Sequence, residues 1–324
     1  MQRRSFLALA TISVASASTL AACSGSDSSD DSSSYSIGIT QIVTHTSLDA
    51  AREGFKSALE AAGLSVTYDE QNAQGDQATA TSIATKFASA DLDLVLAIAT
   101  PAAQAVAQAV TTIPVLFTAV TDPEAAELVA TAEVPGANIT GTTDMNPVAE
   151  QIGLIKKFSP DATSVGIIYS SGEVNSEVQV ELARTAAAAE GLTVKEATIT
   201  NSSEVQQAAA TLTDVSAIYV PTDNNVVSAL PSVLQVGEDN QIPVIVGEAD
   251  SVRNGGLATY GIDYGKLGEQ TGQMAVRILV DGEDPATMPV ETQAEYSLVI
   301  NSAAAGLMGV TIPDDLQADA EMVG

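Results

Sequence analysis

The 324-residue chain has one cysteine, one histidine and no tryptophan, and only 12 of its residues are Lys or Arg. A single cysteine excludes an internal disulfide, and a single histidine, His45, excludes a metal site with several histidine ligands. The chain also holds 41 acidic residues, so its formal net charge is −29. A surface this acidic repels nucleic acid and anionic headgroups, which excludes a DNA-binding role. A salty habitat and an ordinary acidic exported protein both fit this charge.

Long apolar runs are also missing. The best candidate, Phe6 to Ala17, is shorter than the roughly 20 residues that a membrane-spanning helix needs. Arg3-Arg4 precede it and Leu20-Ala21-Ala22-Cys23 follow it, a pattern that predicts a signal peptide over residues 1–22. The Arg pair is similar to a twin-arginine export signal, but Gln2 stands where a hydroxyl residue is usual. Both export routes therefore stay open.

Leu20-Ala21-Ala22-Cys23 also fits a lipobox, in which the thiol is lipidated and cleavage makes the cysteine the first residue. An ordinary signal peptide with a cysteine at its cleavage site is the alternative, but Cys23 is the only cysteine, which favours lipidation. Residues 24–34 hold seven Ser, three Asp and one Gly. Such a polar stretch cannot bury itself, so we expect residues 23–34 to form a lipidated flexible tether. The body is then extracytoplasmic and anchored to the cell membrane.

The rest of the chain alternates predicted strands and helices. Short apolar strands occur at 94–98 and 244–246, and Gly63 ends a predicted helix. Thr46-Ser47-Leu48-Asp49 has the pattern of a capping box that opens another helix. Nearly continuous apolar strands separated by helices predict a parallel sheet covered on both faces, in a doubly wound α/β fold.

The pattern of the first half returns in the second half. Ala62-Gly63-Leu64-Ser65-Val66 is echoed 128 residues later by Glu190-Gly191-Leu192-Thr193-Val194. Ile113-Pro114-Val115 is echoed 129 residues later by Ile242-Pro243-Val244. Each echo is weak alone, but their order and nearly constant shift predict two lobes with the same topology.

After the second half, the chain continues with a predicted strand, a helix and a further strand. This continuation indicates that the chain crosses repeatedly between the lobes. The expected first lobe is 35–142 plus 263–289 and the expected second lobe is 143–262 plus 290–324, with hinge passages near 140–144, 261–263 and 289–293. Two lobes joined in this way close on a ligand.

The motifs of an enzyme are absent. The chain has no His-Glu-x-x-His, no Gly-x-Ser-x-Gly and no cysteine nucleophile in its body. Gly261 to Lys266 imitates a phosphate loop, but it is one residue short and Leu267 replaces the magnesium-binding hydroxyl. A hydrolase that uses only Asp and Glu is the enzymatic alternative. We predict that the protein is not an enzyme, because no catalytic site assembles.

Several segments, in order, resemble those of one protein family. They are Ile37-Gly38-Ile39-Thr40-Gln41 with His45, Gln71 to Asp76, Ala97 to Pro101, Phe117 to Pro123, Tyr219 to Asn224 and Tyr260 to Tyr264. This set, which covers nearly all of residues 35–313, is similar to the tryptophan/tyrosine-type substrate-binding lipoproteins of ABC transporters. The resemblance implies a type I periplasmic-binding-protein-like (Venus-flytrap) fold, with an ABC permease and its ATPase as partners. We expect a monomer without cofactor or metal.

The same resemblance implies a small-molecule ligand, with an aromatic or large apolar L-amino acid as the first choice. Branched-chain amino acids and other small organic solutes are alternatives. A ligand-responsive sensor that signals to a receptor kinase is a further alternative, because the same lobes serve both purposes. The candidates for stacking on an aromatic ligand are Phe117, Tyr169, Tyr219 and Tyr260, and the lack of Trp weakens the aromatic interpretation slightly.

An amino acid zwitterion needs donors for its carboxylate and an acidic acceptor for its ammonium. We expect these groups where strands lead into helix N-termini. The candidates are Gln41, His45, Thr100, Thr118, Thr121 and Asp122 in the first lobe, and Asn175, Thr222, Asp223, Asn224 and Asp250 in the second. Asp223 is the first choice for the ammonium, ahead of Asp122 and Asp250. Helix capping is the alternative role for the acids and Asn175, and a solvated loop is the alternative for His45.

Overall fold

The computed structural model describes residues 34–293 and 295–324. Cys23, the predicted signal peptide and most of the predicted tether lie outside these residues. Ser34, the last residue of the expected tether, is instead the first residue of strand β1. Within the described ranges, no helix is both long and apolar enough to cross a membrane.

The first sheet has six strands, and all neighbouring pairs in it run parallel. With elements numbered in chain order, its strands are β1 (Ser34–Gln41), β2 (Ser65–Asn72), β3 (Leu94–Ile98), β4 (Val115–Val120), β5 (Ile139–Thr143) and β11 (Glu291–Thr292). The accompanying helices are α1 (Thr46–Ala61), α2 (Gln77–Ala88), α3 (Thr100–Ala109) and α10 (Tyr264–Val276), followed by a π-helical turn at Arg277–Asp281 and a 3-10 turn at Pro285–Thr287.

The second sheet has seven strands, of which β12 runs antiparallel to its neighbour β10. Its strands are β6 (Ser164–Ser170), β7 (Thr193–Ile199), β8 (Ala217–Val220), β9 (Val244–Val246), β10 (Ala258–Gly261), β12 (Ser297–Asn301) and β13 (Glu321–Val323). Its helices are α4 (Val148–Phe158), α5 (Val174–Ala189), α6 (Val205–Ala209), α7 (Asn224–Ser228), α8 (Leu230–Asn240), α9 (Ala249–Arg253), α11 (Ser302–Leu307) and α12 (Asp314–Asp319), with 3-10 turns at Ser202–Glu204 and Ala210–Leu212.

Five strands of each sheet share one spatial order. The order is β2-β1-β3-β4-β5 in the first sheet and β7-β6-β8-β9-β10 in the second. This repeat confirms the predicted fold class of two similar doubly wound α/β lobes. The antiparallel strand β12 was not predicted, because a short apolar run carries no information about strand direction.

The chain passes between the sheets at the ends of β5, β10 and β11. β11, at Glu291–Thr292, pairs with β5 and so belongs to the first sheet. The expected boundary, which gives 290–324 to the second lobe, therefore falls a few residues too early. A strand of two residues has no periodicity by which a sequence pattern reveals it.

Each sheet has its own hydrophobic core. Strands β3 and β4 of the first sheet and β8 and β9 of the second are buried at every position. This is the burial expected of parallel strands with helices on both faces. The lobes therefore fold around separate cores, and the groups that meet between them come from the loops at the strand ends.

Helix α10 comes late in the chain but packs against α1 of the first lobe. Glycines permit the close approach, because a Cβ on Gly54 would overlap the carbonyl of Gly265 and one on Gly268 would overlap that of Ala51. This packing fixes the position of Tyr264, the first residue of α10. Its side chain is thereby held at the edge of the first sheet that faces the second lobe.

Candidate functional site

A small enclosed cavity of about 10 Å³, room for about one water molecule, lies between the lobes. The first lobe lines it with His45, Leu48, Ala119, Thr121, Asp144 and Tyr264, and the second lobe with Asn175, Thr222, Asn224, Val227 and Glu248. Most of these residues follow the carboxyl ends of parallel strands, near the points where the strand order reverses. Ligands of open α/β sheets bind at such points.

Five of the eleven predicted binding residues line this cavity. They are His45, Thr121, Asn175, Thr222 and Asn224. Gln41, Thr100, Thr118, Asp122, Asp223 and Asp250 lie outside its wall. The structure also places two acids there, Asp144 and Glu248, that the sequence did not single out.

His45 reaches the cavity because its loop has a different structure from the one predicted. The expected capping box at Thr46–Asp49 does not form: α1 begins at Thr46, and its N-cap is His45, whose side chain makes no capping bond. Gln41 holds the loop instead, since its Nε2 donates to Val43 O at 2.7 Å and to Asp49 Oδ1 at 2.9 Å. With Asp49 engaged in this way, the imidazole of His45 is left to face the second lobe.

The imidazole of His45 is neutral at pH 7. Burial lowers its pKa to about 4, against weaker opposing contributions from Asn224 and Asp49. Its Nδ1 is buried without a hydrogen-bond partner in the protein. A buried polar atom without a partner is uncommon, and one that faces a cavity points to a ligand contact.

Asp144 is the buried acid of the first-lobe wall. Its Oδ1 accepts from Thr121 Oγ1 at 3.0 Å, and its Oδ2 accepts from the Tyr264 hydroxyl at 2.5 Å. Burial raises the pKa of Asp144, although these two bonds oppose the rise. Both partners are neutral, so nothing fixed beside the carboxylate balances its charge. A cation in the cavity would do so.

Glu248 is the buried acid of the second-lobe wall. It is the N-cap of α9, where it accepts from Asp250 N at 2.6 Å and from Ser251 N at 2.9 Å, and also from the Ser251 hydroxyl. Burial raises the pKa of Glu248. Unlike Asp144, it already receives two backbone N–H bonds, which stabilise its ionised form.

Gln179 of α5 links the two walls. Its Nε2 donates to Thr222 Oγ1 at 2.6 Å, and its Oε1 accepts from Thr222 N at 3.1 Å. The same Nε2 lies 3.4 Å from Thr121 Oγ1 in the first lobe. Because Thr121 donates to Asp144, a chain of hydrogen bonds crosses from one lobe to the other beside the cavity.

Asp223, the predicted ammonium partner, lies outside the cavity wall and is fully buried. Its carboxylate accepts from Ser170 N at 2.5 Å, from Ser176 Oγ at 2.6 Å and from Val226 N at 2.8 Å. It is the N-cap of α7, and all these partners belong to the second lobe. The geometry therefore supports the capping role, and the same position after a strand gives no sequence signal that separates the two.

The other two predicted acids are also engaged away from the cavity. Asp122 caps a turn by accepting from Glu124 N at 3.1 Å and from Ala125 N at 2.9 Å. Asp250 pairs with Arg253 at 3.0 Å on the surface of α9. Neither carboxylate faces the other lobe across the cavity.

The two remaining predicted hydroxyls lie beneath the cavity. Thr118 accepts from Thr142 Oγ1 at 3.0 Å inside the first core. Thr100 begins α3, and its buried hydroxyl has no partner in the protein. The aromatic candidates Phe117, Tyr169, Tyr219 and Tyr260 do not line the cavity, whereas Tyr264 does. Tyr219 is buried in the core, where its hydroxyl donates to Gln151 Oε1 at 2.7 Å.

Of the described residues that line the cavity, none is Lys or Arg. Two buried carboxylates and a neutral imidazole therefore set its electrostatics, and the site favours a cationic group. The sequence carried a partial signal for Asp144, which directly follows the polar strand end Thr142-Thr143. Glu248 likewise directly follows Gly247 after β9, but Asp250 was preferred two residues later.

Residues 36–323 match the family of ABC transporter substrate binding proteins. The chain belongs to this family. The predicted resemblance is thereby confirmed, and with it a small-molecule ligand, a transporter permease as partner and an extracytoplasmic location. The family is one of binding proteins and not of enzymes.

Three relatives of this substrate-binding protein carry further information. A tyrosine-binding protein of Clostridioides difficile (strain R20291) is 41% identical over 315 residues, covering 93% of this chain and 91% of its own. The structure of an ABC domain in complex with L-Trp from Streptococcus pneumonia is 37% identical with a TM-score of 0.86, covering 90% of this chain and 100% of its own. The ligand-free, open structure of a substrate binding protein with adhesive properties from Clostridium difficile is 44% identical with a TM-score of 0.67, covering 89% and 99%.

The two solved structures differ in shape more than their identities suggest. The open structure is the more identical in sequence, at 44% against 37%, yet its TM-score is lower, at 0.67 against 0.86. Similar lobes superpose poorly when their relative orientation differs. This indicates that the lobes of the present protein are arranged as in the L-Trp complex.

Proposed function

We propose that this protein is the extracytoplasmic receptor of an ABC importer and that it captures an aromatic L-amino acid between its lobes. The observation that carries the proposal is a closed cavity walled by two buried carboxylates with no Lys or Arg among the described residues around it. Such a wall suits the ammonium of an amino acid. The tyrosine-binding relative and the L-Trp complex support the aromatic class.

The ammonium is best placed against Asp144. This carboxylate receives only two hydroxyl bonds and has acceptor capacity left, since an ionised carboxylate offers about four lone-pair sites. Asn175 Oδ1, in the opposite wall, is a buried acceptor without a partner in the protein. A cation that contacts both groups would bridge the lobes and so favour their closed arrangement.

The carboxylate of the ligand fits the N-terminus of α1. The first-turn N–H groups of this 16-residue helix receive no side-chain cap, because the side chain of His45 does not turn back onto them. Free N–H groups and the positive end of the helix dipole attract an anion. The apolar surfaces of Leu48, Ala119 and Val227 are then available to an aromatic ring.

The lobes must open to admit a ligand, because the cavity has room for only about one water molecule. Opening would break the Gln179–Thr121 contact and the other polar contacts between the walls. Ligand binding would restore them and add its own contacts with both lobes. The binding energy would thereby be coupled to closure.

Calorimetry on the delipidated body tests the ligand class. L-Trp, L-Tyr and L-Phe should bind at least about tenfold more tightly than L-Leu, a difference of ~1.4 kcal/mol. A deaminated analogue, indole-3-propionate, should bind weakly because it lacks the ammonium. Tight binding of D-glucose without heat from any amino acid would contradict the proposal.

The proposed location also includes a lipid on Cys23, with 23–34 as a tether for the two lobes. A Cys23→Ser variant should be released from membranes, because one residue carries all the acyl chains. Fractionation followed by a salt wash measures this. A variant that still sediments with membranes would show that another element anchors the protein.

A further inference from the structure

Glu173, which does not line the cavity, has an unusual set of contacts. It is the N-cap of α5, but its side chain does not cap its own helix. It reaches across to the N-terminus of α7, where Oε2 accepts from Asn224 Nδ2 at 2.5 Å and from Asn224 N at 3.2 Å. Oε2 also accepts from Asn175 Nδ2 at 3.0 Å, and Oε1 accepts from Asn225 Nδ2 at 2.9 Å.

These contacts decide how three amide side chains are turned. A carboxylate only accepts hydrogen bonds, so it holds the NH2 group of each asparagine. The carbonyl oxygen of each asparagine must then face away from Glu173. Asn175 Oδ1 is left buried without a partner in a residue of the cavity wall, and Asn225 Oδ1 lies beside Gly75 of the first lobe.

A structural role alone does not account for a charged group here. Glu173 is 5% exposed, and its hydrogen-bond donors are amides, with no Lys, Arg or His among them. Burial and the nearby Asp223 raise the pKa of Glu173 to about 8, so ionisation at this position is opposed. A neutral acceptor would satisfy some of the same donors at a lower cost in desolvation.

We infer that Glu173 is a positioning residue that turns the acceptor oxygen of Asn175 into the cavity and holds the Asn224 amide beside it, so that the second lobe selects a ligand group rich in N–H donors. The inference rests on the proposed function and deepens it. Asp144 supplies the charge that an ammonium requires, and Glu173 ensures that the opposite wall presents an acceptor to it. The pair would together discriminate an amino acid from its deaminated analogue.

Two substitutions at Glu173 separate positioning from folding. Glu173→Met keeps the length of the side chain but removes both acceptors, so the amides of Asn175 and Asn224 are free to turn. Affinity for L-Tyr should fall about 10- to 100-fold, the effect of leaving a buried donor or acceptor unsatisfied. Affinity for 4-hydroxyphenylpropionate, which has no ammonium, should change less than about threefold. Glu173→Gln retains one oxygen, which can take the place of Oε2, and should restore most of the discrimination.

Asp223→Asn is the matched control. Asp223 is a second buried acid of the same lobe, but its bonds go to Ser170, Ser176 and Val226 and not to the cavity asparagines. This variant should lower the melting temperature and leave the ratio of L-Tyr to 4-hydroxyphenylpropionate affinity unchanged. If Glu173→Met also keeps the wild-type ratio, Glu173 is only structural and the inference is overturned.

A ligand-free measurement keeps this inference separate from the proposed function. The side-chain NH2 groups of Asn175 and Asn224 should exchange slowly with solvent in the wild-type protein and in Glu173→Gln, and rapidly in Glu173→Met. Amide-resolved NMR measures these rates without any amino acid present. Slow exchange in all three proteins would overturn the positioning role. Failure of the wild type to bind L-Tyr, with the exchange rates as expected, would overturn the ligand class alone.

Discussion

The two lobes repeat one backbone arrangement but place different chemistry on it. His45 and Glu173, 128 positions apart, are the N-caps of the equivalent helices α1 and α5, and neither side chain caps its helix. Ala119 and Glu248, 129 positions apart, both line the cavity after equivalent strands. In each pair the first lobe has a neutral residue and the second lobe has a buried acid.

This difference has a consequence for binding. Two identical walls would accept a zwitterion in either of two opposite orientations. Here the uncapped N-terminus of α1 favours a carboxylate on the first-lobe side, whereas Asn175 and Glu248 of the second lobe favour a cation. The repeated topology therefore fixes where the loops lie, and the unequal side chains fix how a ligand is oriented between them.

The largest effect is expected at Asp144, the acid that faces the second lobe. Asp144→Asn keeps the shape and one acceptor oxygen but removes the charge that the ammonium would pair with. Truncating one member of a buried charge pair costs about 2–5 kcal/mol, so affinity for L-Trp should fall about 30- to several-thousandfold. Calorimetry checks this, with Asp122→Asn as the control, because Asp122 caps a turn outside the cavity. Equal losses in both variants would contradict the assignment.

The next effect concerns Gln179, which joins the two walls. Gln179→Met removes the bridge between Thr222 and Thr121 and leaves Thr222 N unpaired. A buried unsatisfied group costs about 1–3 kcal/mol, so L-Trp affinity should fall about 5- to 150-fold. Small-angle scattering without ligand should show a larger radius than the wild type, because the closed arrangement loses a contact. An unchanged radius and affinity would show that closure does not depend on this bridge.

The fold could be predicted further than the site. The 128- and 129-residue echoes predicted two similar lobes because a doubly wound unit imposes the same apolar strands and helix punctuation each time. Thr222 and Asn224 were found because strand ends are where ligands meet such sheets. Asp223 and Glu248 could not be sorted from sequence, since both cap helices after strands and only the second lines the cavity.

Glu173 was beyond prediction for a different reason. Its carboxylate contacts residues about 50 positions later, at the start of α7. No local periodicity encodes a contact between two loops. Tyr264 was missed likewise, because its place in the cavity depends on α10 returning to pack on α1, which small residues such as Gly54 and Gly268 permit.

The acids of the second lobe should also make stability depend on pH. The raised pKa of Glu173, about 8, means that the folded state binds a proton that the unfolded state releases near 4.5. This contribution to stability is complete below the unfolded pKa and is lost as pH rises to about 8. His45 acts in the opposite sense, since its pKa of about 4 removes stability as pH falls below 6.5. The two contributions oppose each other below pH 6.5, and Glu173 acts without that opposition from pH 6.5 to 8.

Melting curves from pH 6.5 to 8 should therefore show a loss of up to about 2 kcal/mol, because one pH unit corresponds to 1.36 kcal/mol for one proton. Glu173→Gln, which does not titrate, should flatten the slope in this window. Asp144 and Glu248, with raised pKa values of their own, contribute in the same direction in both proteins. An unchanged slope in Glu173→Gln would assign the dependence to those two acids.

The smallest effect concerns the backbone at equivalent turns of the two lobes. Ala99, at the end of β3, has φ 77° and ψ 153°, a region that essentially only glycine adopts. The position 122 residues later is Pro221, whose ring fixes φ near −65°. The first lobe thus has a strained residue before α3, where the second lobe has none before α7.

Ala99→Gly should relieve about 1–3 kcal/mol of strain and lose about 0.5–1 kcal/mol to the greater freedom of glycine in the unfolded chain. The net gain of about 1 kcal/mol should raise the melting temperature by about 2–4 °C. Ala97→Gly is the matched control, since Ala97 is buried in the middle of β3 and is absent from the positive-φ residues. It should lower the melting temperature, because it has the cost of glycine without any relief. If both variants lose stability equally, the turn at Ala99 is not strained. A gain in stability with weaker L-Trp binding would show that the strain helps to hold the start of α3 in its binding position.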